Sequence, residues 1–307
     1  MRPAHRAFVD TNNYIQYFEF AKTYNAGFKF DPTAENFIFD NIFSYLAAND
    51  YSIELFFVFI AAVYFGCTAW ALIRLFPHDA FYAFVIYLAA FSTFSYGTNG
   101  IKAGAAAAVF LLAVSYRNKI WLSLLIALLS WGFHHSMHMV IIAYAITFWI
   151  KAPRIYMCIW FICILCGLLH LNPLLNIMTD LTNERGVQYL TNVEEQWGGK
   201  AGFRFDFLIY SACPIIIGYY TIFKRKIQDR VYVNMFNLYV LCNSLWVLCM
   251  YIPFNNRIAY LSWFLFPVVL VYPYFNIRFL NHQYIALNKV AWAQLAFTIF
   301  MSAIYYR

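Results

Sequence analysis

SIELFFVFIAAVYFGCTAWALIRLF, residues 52–76, decides the fold. Between Glu54 and Arg74 it holds no charged residue. A bilayer core of ~30 Å is crossed by about 20 consecutive apolar residues in a helix, so the segment reads as a membrane helix. The pattern recurs along the 307-residue chain. Apolar runs near 80–97, 100–116, 119–133, 136–150, 154–171, 206–223, 232–252, 258–275 and 284–305 bring the expected total to about ten. Composition agrees: 63% of residues are hydrophobic and 11% charged, against about 45–50% and about 25% in soluble chains. The fold class expected is all-α, a polytopic integral membrane helical bundle. Some of its helices are short or broken, which suits segments that line a cavity rather than lipid.

One transmembrane domain is expected over 1–307. Its parts are an outer segment at 1–51, a first helical half at 52–171, a long outer loop at 172–205 and a second helical half at 206–307. In the outer segment, Asp31-Pro32-Thr33-Ala34-Glu35 predicts a helix start, with an amphipathic surface helix over 34–48. The aromatics Tyr189, Trp197 and Phe203 in the long loop point to an ordered, functional segment. Repeats, low-complexity runs and a soluble domain are not visible. The seven cysteines, including the CxxC pair Cys163 and Cys166, all lie in apolar segments and read as packing residues.

The net charge of +7 comes from short loops between apolar runs, which is how membrane orientation is encoded and not how nucleic acid is bound. Arg74, Arg117, Lys119, Lys151, Arg154, Lys224, Arg225, Lys226, Arg230, Arg278 and Lys289 fall in one set of alternate loops. Lys102, Arg257 and Arg307 fall in the other. The first set is therefore expected to be cytoplasmic, and residues 1–51, the 172–205 loop and the 253–257 turn to face outward. A polar start of about fifty residues on the outer side leads us to expect one more membrane helix upstream.

Two polar clusters then open on the outer side: Tyr96-Gly97-Thr98-Asn99-Gly100-Ile101-Lys102 and Trp131-Gly132-Phe133-His134-His135-Ser136-Met137-His138. Ionisable groups at such positions are expensive and point to a site. Arg6, Lys102, Arg204 and Arg257 give that face its cations, and a guanidinium fork suits a phosphate or pyrophosphate. At a membrane edge, a lipid-linked phosphate is the natural form. Asp10 and His134 are the candidate bases. Each cation could instead snorkel to the interface, Asp10 could cap a helix, and Arg204 with Asp206 could be a plain surface pair. His134 and His138 stand four apart on one helical face, a metal-ligand spacing, but no acid accompanies them and no metal or other cofactor is implied. There is no P-loop, zinc signature or Ser-His-Asp order.

The residues resemble the EpsG-like family of bacterial polysaccharide polymerases, the Wzy class, over most of the chain. Arg6-Ala7-Phe8-Val9-Asp10-Thr11-Asn12-Asn13-Tyr14 is similar to the family's early Asp followed by Tyr. Asn99-Gly100-Ile101-Lys102 precedes a small-residue helix, with Lys102 where members usually carry Arg. Phe133-His134-His135-Ser136 resembles the family's Phe-His-x-Ser element. Gly202-Phe203-Arg204 follows the long loop, and Asn256-Arg257 is followed by Tyr260. The family usually has a membrane helix before the Asp element. The resemblance implies a glycosyltransferase on the outer face of the bacterial inner membrane. It would join repeat units carried on undecaprenyl pyrophosphate into exopolysaccharide, capsule or O-antigen, with the active site facing the periplasm or exterior. Asp10 and His134 would be catalytic; Arg6, Asn99, Lys102, Ser136, Arg185, Arg204, Asp206, Asn256, Arg257 and Tyr260 would bind substrate, with Tyr189 and Trp197 stacking on sugars. The partners implied are the lipid-linked donor and acceptor and the bilayer, with room for a chain-length regulator and a flippase, and no nucleic acid. Competing expectations are an O-antigen ligase, a sugar-modifying membrane acyltransferase and a lipid-glycan transporter.

Overall fold

The computed structural model describes residues 9–24, 27–171, 202–252 and 255–305; the side chains of Val9, Asp10 and Tyr305 are outside the description. Every element among the described residues is helical. The chain divides into two units, Met1–Ile141 with Tyr274–Arg307, and Ile142–Pro273.

The first unit carries α1 (Val9–Tyr24), α2 (Phe37–Ala48), α3 (Ile53–Leu75), α4 (Ala80–Leu88), α5 (Phe91–Thr98), α6 (Ile101–Ser115) and α7 (Ile120–Phe133). The start of α8 (Met137–Trp149) and α14 (Gln283–Tyr305) complete it. Helix α6 is its axis. Gly104, Ala105, Ala106, Ala107 and Ala108 are all buried, and such small side chains let α3 and α7 pack closely on either side. The second unit carries the rest of α8, α9 (Pro153–Leu168), α10 (Phe205–Tyr219) with a π turn at Tyr220–Lys224, α11 (Arg230–Leu248), α12 (Asn255–Trp263) and, as far as Pro273, α13 (Phe266–Asn276). Its centre is α11, packed by α9, α10 and α12. Buried amides tie these helices together. Trp160 donates its indole N–H to Asn243 Oδ1 at 2.8 Å, and Asn243 donates to Ser262 Oγ at 3.3 Å. Hydrogen bonds of this kind join helices where apolar contact alone gives no preference over lipid.

Among the described residues, five helical segments are long and apolar enough to cross a bilayer: Ile53–Leu75, Phe205–Lys224, Arg230–Leu248, Asn255–Asn276 and Gln283–Ile304. The pair α4 and α5, bent by 69°, counts as a sixth if the two make one span. Helices α6, α7, α8 and α9 have 15, 14, 13 and 16 residues, about 20–24 Å at 1.5 Å per residue. This is a multi-pass membrane protein, and each predicted helix has a counterpart in place.

Three local expectations are corrected. The surface helix begins at Phe37, not at 34, because Asp31 Oδ1 accepts from the Thr33 amide at 2.8 Å and its hydroxyl at 2.6 Å. That local turn competes with helix. Residues Val9–Tyr24, a part of the outer segment given no element from sequence, are helical. The single helix expected at 80–97 is broken between Leu88 and Phe91. Helix α14 sustains the break: Gln294 Nε2 donates to Ile86 O and Thr298 Oγ1 to Ala89 O, each at 2.7 Å. A broken membrane helix needs such partners for its released carbonyls. The helix expected from 258 starts at Asn255 and is interrupted between Trp263 and Phe266, so Asn256 and Arg257 belong to the first turn of α12 rather than to a preceding turn.

Candidate functional site

Within the first unit, the two polar clusters meet. Lys102 lies in the first turn of α6, and its Nζ reaches Asp40 Oδ1 of α2 at 2.9 Å. The ammonium also lies 4.6 Å from the centre of the Phe39 ring, a cation–π contact. Asp40 Oδ2 accepts from Asn36 N at 3.1 Å and Asn36 Nδ2 at 3.3 Å. From the first turn Asp40 thus reaches back to the Asn36 N-cap and closes the N-terminus of α2. Asn36 is buried, and its Oδ1 accepts the His135 amide at 2.9 Å. A continuous chain of polar contacts therefore runs Lys102–Asp40–Asn36–His135 and joins α6, α2 and the α7–α8 turn.

The turn itself is Phe133–His134–His135–Ser136. His134 ends α7 in an extended conformation, φ −151° and ψ 123°. The two histidines stack with ring centres 4.8 Å apart. Because His134 has left the helix before α8 begins at Met137, it does not share a helical face with His138, and the expected i,i+4 pair is corrected. The Ser136 amide donates to His134 Nδ1 at 3.2 Å, with Ser136 Oγ 2.7 Å from the same nitrogen. An amide N–H can only donate, so Nδ1 is the acceptor and the neutral ring carries its proton on Nε2. His135 Nδ1 lies 3.3 Å from Glu35 Oε1. Burial lowers the His135 pKa; His138 and Lys102 push the same way, against Glu35 and Asp40. Asn99 is the C-cap of α5, two residues before α6. Thr11 of α1 donates to Thr98 O at 2.9 Å.

The opposite end of this unit carries the basic loops. Arg74 stacks 3.7 Å over the Tyr116 ring, beside Arg117, and Asn276 Nδ2 donates to Leu75 O at 3.1 Å near Arg278. Helix α3 separates the ends by its 23 residues, about 34 Å.

In the second unit, Gly202 N donates to Met250 O at 3.2 Å, placing the end of the long loop beside the end of α11. Arg204 then binds Asp206 through both fork nitrogens, at 3.0 and 2.6 Å. Its guanidinium also lies 4.5 Å from the Phe207 ring centre. Asn255 donates to Met250 O and Ile252 O at 2.9 and 3.1 Å, fixing the start of α12. Arg257 and Asn256 follow it, both exposed. Tyr260 meets Trp263 edge-on at 5.5 Å.

The structure thus joins Lys102 to the histidine turn that holds His134 and Ser136, and separately gathers Arg204, Asp206, Asn256, Arg257 and Tyr260 near one end of the second unit. Arg6, Arg185, Tyr189 and Trp197 lie outside the described residues, and Asp10 sits in α1 with its side chain outside them. Sequence reasoning missed Asn36 and Asp40. The one local trace is that Asp40 shares a helical face with Phe39, Phe43 and Ala47, which is too common a pattern to single it out.

A model described as the EpsG family matches residues 4–307. No curated protein and no solved structure matches the chain.

Proposed function

The chain belongs to the EpsG family, which points to a membrane protein of the polysaccharide-polymerase type, and on that premise we propose that it polymerises glycan repeat units carried on undecaprenyl pyrophosphate. The reaction belongs on the outer face of the bacterial inner membrane. The bond between the donor's anomeric carbon and the pyrophosphate oxygen breaks, and the pyrophosphate leaves with the electron pair. An acceptor hydroxyl on a second lipid-linked unit forms the new glycosidic bond and loses its proton. No nucleotide sugar is required, since the lipid supplies the leaving group. The family match carries this reading.

Chemistry on the page supports the division of labour. Charge grows on the leaving pyrophosphate, and cationic donors held in place stabilise it. Exposed Arg257, in the first turn of α12, is the leading ligand. Lys102 and Arg204 each hold an internal carboxylate, so they set geometry and field first and meet substrate only in exchange for Asp40 and Asp206. With its Nε2 protonated, His134 suits donation to a developing negative charge. Asp10 is then the base for the acceptor hydroxyl. The test is a purified-enzyme assay with lipid-pyrophosphate-linked repeat units. Arg257→Ala should lower chain extension by about 10²-fold or more; undiminished extension would remove Arg257 from the site.

A further inference from the structure

The first unit contains a cavity of about 370 Å3, within the ~300–1,000 Å3 of small-ligand sites. Its floor runs along α3 through Ile53, Phe57, Ala61 and Tyr64, spaced three or four apart on one helical face. Its other wall is the α5–α6 break, Gly97, Thr98 and Ile101, with Thr11 and Ile15 of α1 beside it. Two further wall residues, Val58 and Phe65, are 58% and 40% exposed. Since α3 is a membrane span, the groove opens sideways onto lipid. Gly97 borders open space: a Cβ there would meet no atom within 4 Å.

The groove is apolar along its length and polar at one end, where Thr98 leads through Asn99 and Gly100 into Lys102 and the site above. Glu54 lines that same end and repels a phosphate, so the groove suits a hydrocarbon chain and leaves the head group to the cluster beyond. From Ile53 to Phe65 the floor spans about 18 Å, little more than half of a ~30 Å bilayer core. A long chain would lay its head-proximal part here and run on into the membrane. We propose that this groove holds the head-proximal part of a polyprenyl chain, that of the lipid-linked glycan. The inference rests on the polymerase reading and names where that substrate's lipid lies.

The test irradiates the full chain in detergent with a benzophenone-bearing polyprenyl phosphate and maps the labelled peptides. The label should fall on α3 between Ile53 and Phe65, and unlabelled polyprenyl phosphate should compete where phosphatidylglycerol does not. Ala61→Trp and Gly97→Leu should each weaken labelling about tenfold, a loss of ~1.4 kcal/mol. Leu128→Trp, on an exposed face of α7 outside the groove, should leave it unchanged. Thermal unfolding of each variant controls for folding, and Gly97→Leu enters open space. Label spread over the exposed faces of α7 and α14, or equal competition by phosphatidylglycerol, would overturn the groove as a polyprenyl site and make it ordinary boundary lipid. Labelling needs no turnover. Polymer formed without groove label would sink the groove alone, and groove label without polymer would sink the polymerase reading alone.

Discussion

Asp40 is the residue on which the first cluster turns. One oxygen holds Lys102 and the other closes the start of α2 through Asn36. Both partners of the ion pair are half-buried, so the pair itself is a modest contributor, and the loss of the cap adds to it. Asp40→Ala should lower stability by about 1–2 kcal/mol. A double-mutant cycle with Lys102→Ala should show coupling, because the two changes remove one shared contact; strict additivity in detergent unfolding would deny the contact. His135 gives a pH prediction. Its folded-state pKa lies below the ordinary 6.5, chiefly through burial. Stability from that neutral ring is full above about 6.5 and is lost as pH falls through the lower folded value, since the unfolded chain takes up the proton first. His135→Gln should therefore flatten the unfolding profile below pH ~6.5; an unchanged slope would assign the acid sensitivity elsewhere. Lys102 and His134 were legible in the sequence because they interrupt apolar runs. Asn36 and Asp40 were not, because polar residues are ordinary on an amphipathic surface helix, and only its docking onto α6 and the α7–α8 turn gives them a role.

Docking of α2 depends on a glycine. A Cβ at Gly132 would stand 2.5 Å from Ile38 Cδ1 and 2.9 Å from Phe37 Cε1, so α7 accepts α2 only where it has no side chain. Gly132 stands two residues before His134. Gly132→Val should push α2 away, weaken the Asn36–His135 bond and lower polymer formation by at least about tenfold, a loss of ~1.4 kcal/mol in positioning. Gly132→Ala should fall between that and the parent. Wild-type activity in a folded Gly132→Val protein would show that α2 does not position the turn. Helix positions were legible because long apolar runs carry their own signal, and α3 ends within one residue of its expected bounds. The break between α4 and α5 was hidden for the opposite reason. Leu88-Ala89-Ala90-Phe91 contains neither Gly nor Pro, and its support comes from Gln294 and Thr298, 208 and 209 positions away from the carbonyls they meet. Local sequence carries no trace of such a partner.

At the scale of the whole molecule, alternation of charge and polarity ties the fold to the proposed reaction. In the first unit, Lys102 and the histidine turn lie at one end of α3 and Arg74 at the other. In the second, Gly202, Arg204 and the start of α12 gather at one end of α11, while Asp229 and Arg230 begin the other. The positive-inside pattern reads the basic loops as cytoplasmic, and under the proposed reaction the polar end of each unit is where a lipid-linked glycan would be met. This pattern was readable from sequence because it rests on composition. The identity of the chemistry was readable only through the family. The most direct test expresses this chain in bacteria that lack their own polymerase but still make the lipid-linked repeat unit, with its membrane level checked. The account predicts a ladder of long glycan in the extracted polysaccharide. Single repeat units alone, with the protein present and folded in the membrane, would contradict it.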